Sequence, residues 1–175
     1  MFQGSHAATL LVGTGTTNWN TGKVTNMQEM FKDASVANPD VSGWDVSSVS
    51  NMVQMFENAD AATPNTTNWD TSSVIGMNNM FYNTALANPD VSNWDTSNVT
   101  NMSGMFSNAL SANPVTTTVG NIWNTHKVTS FVSMFKNTNA NPDVSGWDTA
   151  KATSFNHMFY GAESANPDTS SWDVN

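Results

Sequence analysis

Cysteine and arginine are both absent from this chain of 175 residues. Without cysteine no disulfide framework can hold the fold together, and the absence itself is compatible with either redox compartment. Without arginine, and with five lysines against 14 acidic residues for a net charge of -9, the chain is a poor nucleic-acid binder, because phosphate contacts come from Lys and Arg. Anionic lipid headgroups would repel it as well. Charge of either sign is scarce: 11% of residues carry one, about half the usual share. No apolar run approaches the roughly 18 residues that suggest a membrane span, so no membrane insertion is expected. The opening Met1-Phe2-Gln3-Gly4-Ser5-His6 lacks the basic start and long apolar stretch of a signal peptide and reads as a tag or cloning scar. Residues 7–175 then form one elongated domain.

What the chain does have is repetition. Tryptophan stands at Trp19, Trp44, Trp69, Trp94, Trp123, Trp147 and Trp172, at intervals of 25, 25, 25, 29, 24 and 25. Met-Phe pairs keep the same beat from Met30-Phe31 to Met158-Phe159, and so does proline from Pro39 to Pro167. A fixed period of this size marks a repeat array. Each unit is too small to bury its own apolar face, so units must stack.

Within the unit Pro39–Phe56, Asn38-Pro39-Asp40 is turn chemistry. Trp44 and Val46, two residues apart among polar neighbours, predict a very short strand with Asp45 outward. Val49, Met52, Met55 and Phe56 fall at i, i+3, i+6 and i+7, one face of a two-turn helix. Ser47 and Ser50 are candidate N-caps. Asn58, Asn83 and Asn108 are candidate helix stops in the left-handed conformation. The expected architecture is an α/β solenoid of about seven 25-residue rungs, each a short parallel strand plus a short helix. The strands would stack at about 4.8 Å. Two readings of the Trp column stay open: core packing in a thin array, and a stacking platform for sugar rings.

Units such as Asp90-Val91-Ser92-Asn93-Trp94-Asp95-Thr96-Ser97-Asn98-Val99-Thr100-Asn101-Met102-Ser103-Gly104-Met105-Phe106 resemble the BspA-like surface-protein repeat, over residues 16–175. The resemblance implies a divergent leucine-rich-repeat-like solenoid. It further implies a bacterial surface protein, an extracellular or cell-surface location, and adhesion to a host or cell-surface protein or glycan. It implies no catalytic residues.

Two features are candidate sites. One is the insertion before Trp123, Pro114-Val115-Thr116-Thr117-Thr118-Val119-Gly120-Asn121-Ile122. Insertions in repeat arrays map to loops on one face, often the binding face; Thr116, Thr117, Thr118 and Asn121 are the candidate ligand-binding residues. This rung also has Val115 and Asn124 where the pattern expects Asp. The other feature is the acidic columns, Asp40, Asp90, Asp143 and Asp168 after proline, and Asp45, Asp70, Asp95, Asp148 and Asp173 after tryptophan. Stacked carboxylates repel unless hydrogen-bonded, solvated or bridged. Calcium held by Asp45, Asp70, Asp95, Asp148 and Asp173 is one reading; turns in which each Asp accepts from a downstream N–H are the other. Interruption of the columns by Asn20, Asn65, Val115 and Asn124 favours the turns.

Catalysis is not expected. His6, His126 and His157 occupy unrelated repeat positions, with no phosphate loop or zinc-ligand spacing. The expected function is a non-catalytic binding or adhesion module; the alternatives are a structural spacer that projects another domain, and ice or mineral binding by a Thr/Asn face. Leu10-Leu11-Val12 ahead of Gly13-Thr14-Gly15 is a candidate N-terminal cap. The sequence stops at Trp172-Asp173-Val174-Asn175, before the Met-Phe half of that rung. That ending predicts either a fragment of a longer array or an end that pairs with another copy.

Overall fold

In the computed structural model, residues 19–118 and 121–173 are described, with the side chains of Thr118, Asn121 and Ile122 outside that set. The candidate scar 1–6, the candidate cap at 10–15 and the final Val174-Asn175 lie outside the described residues.

The rungs are built from four-residue turns. In the rung from Pro39, the amide of Trp44 donates to Val41 O, Val49 to Val46 O, Met55 to Met52 O, Ala59 to Phe56 O and Ala62 to Ala59 O. Both ends of each of these turns are buried apolar residues. A turn with its first and fourth side chains pointing inward is therefore the local unit, and the rung is a succession of them.

This overturns the expected α/β solenoid, leucine-rich-repeat-like or otherwise. Among the described residues there is no helix, and the only strands are two of two residues each, both in the insertion. Trp44 and Val46 do point inward while Asp45 is exposed, but they sit in turns and make no sheet.

The Val49–Phe56 segment shows why no helix forms. Amides of Met52, Gln54, Phe56 and Asn58 donate to Gly76 O, Asn78 O, Met80 O and Tyr82 O of the next rung at 2.9–3.0 Å. An α-helix would spend those N–H groups on carbonyls four residues back. Alternate amides instead close turns within the rung, as Met55 does to Met52. The backbone achieves this alternation by entering the left-handed region at every fourth residue, Gln54 (φ 57°) and Asn58 (φ 58°). Asn83 and Asn108 are also left-handed; like Asn58 they lie inside the turn chain rather than ending a helix. Parallel pairing between rungs falls at Asn26, Asn51, Gly76, Asn101, Ser130 and Ser154 in succession, on the segment expected to be helical.

The core is a set of columns. Phe31, Phe56, Phe81, Phe106, Phe135 and Phe159 stack face to face with centroids 5.3–5.8 Å apart. Trp69, Trp94, Trp123, Trp147 and Trp172 stack at 6.2–6.5 Å. Aromatic pairs in such geometry contribute about 0.5–1.5 kcal/mol each beyond their buried area. Trp44, Trp69, Trp94, Trp123 and Trp147 are all buried, so these tryptophans are core and their ring faces are not offered to a sugar.

Candidate functional site

The insertion grows out of one ordinary turn. In the preceding rung the Trp94 amide closes onto Val91 O at 3.1 Å; here Trp123 closes onto Thr116 O at the same distance. The four extra residues are accommodated between those two ends as a hairpin. Strand β1 (Thr117–Thr118) pairs antiparallel with β2 (Asn121–Ile122), with Thr117 opposite Ile122 and Thr118 opposite Asn121. Residues 119–120 lie outside the described set.

A cleft of about 220 Å³ lies between the base of this hairpin and the next rung, lined by Asn113, Pro114, Val115, Thr116, Thr117, Asn141, Pro142 and Asp143. Val115, standing where the pattern has Asp, is 51% exposed at its edge. Thr116 faces inward, and its hydroxyl donates to the Asp143 carbonyl at 2.6 Å. Thr117 donates to the same carbonyl at 3.4 Å. Of the four candidate residues, then, Thr116 joins rungs, Thr117 lines the cleft, and Thr118 and Asn121 are placed by their backbones alone. The other wall of the cleft, Asn141 to Asp143, escapes a local reading of the insertion; a 25-residue offset from Thr116 and Thr117 points to it.

The Asp143 carboxylate is fixed at that wall. It accepts from the Ser145 hydroxyl at 2.7 Å and the Ser145 amide at 3.0 Å, and these bonds hold its pKa below the ordinary 3.8. The same arrangement, with the same downward shift, holds Asp40 by Ser42, Asp45 by Ser47, Asp90 by Ser92 and Asp168 by Ser170.

The second acidic column follows the turn geometry. Asp45, Asp70, Asp95 and Asp148 each accept from the amide two residues on, at 2.8–3.1 Å. The corresponding residue after Asp173 is outside the described set. Among the described residues no three His, Cys, Asp or Glu side chains come together in a group able to hold a metal. Where Asn124 replaces Asp, its side-chain oxygen takes the His126 amide at 3.3 Å and approaches the ring Nδ1 at 2.6 Å. A second cleft of about 260 Å³ opens beside it, lined by Trp123, Asn124, Thr125, Gly146 and Asp148. A cavity of about 630 Å³ at the first described rung is lined by Trp19, Val24, Met27 and Met30 among others.

Stacked rungs of one repeating turn pattern, interrupted by a single inserted hairpin, define a repeat protein. The family model described as Mycoplasma protein of unknown function, DUF285, matches residues 1–119 and 87–175. The chain belongs to that family of bacterial repeat proteins. No curated protein and no solved structure matches it.

Proposed function

We propose that this chain is a non-catalytic binding module of a bacterial surface protein, displayed outside the cell, and that the hairpin of residues 117–122 with its adjoining cleft is where it meets a host or cell-surface protein or glycan. The observation that carries this reading is the hairpin itself. In an array whose other described corners before tryptophan close with four-residue turns, it enlarges one of them, adjoins a cleft toward the next rung and leaves Val115 exposed in place of an acid. Loops on a rigid scaffold are the usual carriers of recognition. The BspA-like character of the repeat unit supports the surface location and the adhesive role.

The test is a variant with residues 117–120 removed. It joins Thr116 to Asn121 and restores the spacing of the ordinary Val91–Trp94 turn, so the stack is retained. Labelled full chain should bind intact epithelial cells saturably, and the shortened chain should lose that binding at unchanged melting temperature. Equal binding by both would remove the hairpin from the site. A structural spacer is the second reading, favoured by the uniformity of the other rungs; it expects no saturable binding by either chain.

A further inference from the structure

The 25-residue period conceals a longer one. At the corner three residues before each tryptophan, valine and threonine alternate: Val41, Thr66, Val91, Thr116, Val144, Thr169, with the inserted hairpin separating Thr116 from its Trp123. The contacts between rungs alternate with them. Where the earlier rung carries valine, the indole N–H of the next rung donates to its carbonyl: Trp69 to Val41 O and Trp123 to Val91 O at 3.2 Å, Trp172 to Val144 O at 3.1 Å. At the same three seams an Asn side-chain oxygen takes a backbone amide of the next rung, Asn38 from Thr63, Asn88 from Asn113 and Asn141 from Asn166, at 2.7–2.9 Å.

Where the earlier rung carries threonine, the seam is made differently. The Thr66 hydroxyl donates to Asp90 O, and the Thr116 hydroxyl to Asp143 O, both at 2.6 Å. The indoles beyond these two seams, Trp94 and Trp147, are 1% and 3% exposed, and their N–H groups have no acceptor. A buried donor left unpaired carries its full desolvation cost. The hydroxyl and the indole thus take turns at the seam: where the hydroxyl ties the corner of the next rung, the carbonyl beside it no longer receives the indole.

We propose that the structural unit of this array is a pair of rungs, and that the seams between pairs, at Thr66–Trp94 and Thr116–Trp147, are the planes along which the stack opens first. Local opening in a folded protein draws on its weakest contacts, and among the described residues these are the two seams whose indole N–H is buried and unpaired. The second of them runs directly beneath the hairpin and its cleft.

The experiment is indole N–H exchange on the full chain, with the seven tryptophans resolved by ¹H–¹⁵N correlation. Trp94 and Trp147 should resonate upfield of Trp69 and Trp123 and exchange severalfold faster, although all four are equally enclosed. Thr66→Val removes the hydroxyl that ties this seam, at nearly constant shape; it should slow Trp94 and move it downfield while leaving Trp147 as it was. Thr116→Val should do the converse. Equal exchange and overlapping shifts for the four indoles would overturn the proposal. So would either variant shifting all the indoles together, which is the mark of a general change in stability.

Discussion

Gly104 lies against Asn79 of the rung before it so closely that a Cβ on Gly104 would overlap the Asn79 side-chain oxygen. Both residues are in the left-handed region, Gly104 at φ 62° and Asn79 at φ 56°. Gly161 meets Asn137 in the same way. The Gly104 amide is aimed along the stack, donating to Val132 O at 2.8 Å, and both glycines make room for the Asn side chain of the rung before.

Gly104→Ala is therefore expected to destabilise the chain by about 1–2 kcal/mol from the left-handed backbone alone, with a further cost for displacing Asn79. Asn79→Gly in the same chain should recover the second part and leave the first. Denaturant midpoints of the two single variants and the double variant separate the contributions. Additive losses would mean that the two residues do not meet.

Acid should weaken the stack through the serine-capped carboxylates. Asp40, Asp45, Asp90, Asp143 and Asp168 have folded-state pKa values below the ordinary 3.8, held there first by the serine hydroxyl two residues on and then by its amide. A depressed carboxylate pKa gives stability that is fully present above the unfolded value and is lost as pH falls through the folded one. The urea midpoint should hold steady from neutral pH to about 5 and fall below about 4. Replacing Ser42, Ser92 and Ser145 together with alanine should lower the neutral midpoint and flatten its fall in acid. An unchanged acid profile would show that the hydroxyls do not matter to these carboxylates. The effect is small at each site because these groups face solvent.

Calcium should leave the melting temperature where a chelator leaves it, at fixed ionic strength. Asp45, Asp70, Asp95 and Asp148 each already engage an amide of their own turn. A ligand of the folded state raises the melting temperature by mass action, so a rise of many degrees would make the second acidic column an ion site after all.

The inward and outward residues were legible in the sequence, and the backbone between them was not. Val49, Met52, Met55 and Phe56 are all buried, as their spacing implies. Yet spacings of three and four residues fit a chain of four-residue turns as well as they fit a helix, and periodicity alone cannot separate them. The deciding fact is where the alternate amides go, and that depends on a carbonyl 24 residues away, as Met52 reaching Gly76 shows. The left-handed Asn positions are visible as such; the second left-handed residue four places earlier, Gln54 before Asn58, carries no such mark in its residue type. At the candidate site, the 29-residue interval marked the insertion. The inward turn of Thr116 could be foreseen only by aligning it with Val91, whose place it takes.

Asn83 offers a direct test of the left-handed positions in the turn chain. It is left-handed at φ 56°, its amide donates to Ser107 O at 2.8 Å in the next rung, and its side-chain amide donates to Asn58 at 3.0 Å in the rung before. Asn83→Gly keeps the backbone conformation free of strain and loses the side-chain bond alone, at about 0.5–1.5 kcal/mol. Its exposed position puts the loss at the low end of that range, and the entropy glycine returns to the unfolded chain adds to it. Asn83→Ala must carry the left-handed strain as well, about 1–2 kcal/mol more. Alanine should accordingly be the worse of the two in thermal and urea unfolding. The reverse order, with alanine the better, would show that residue 83 is not left-handed, since alanine exceeds glycine by about 1 kcal/mol only where the backbone is right-handed and helical.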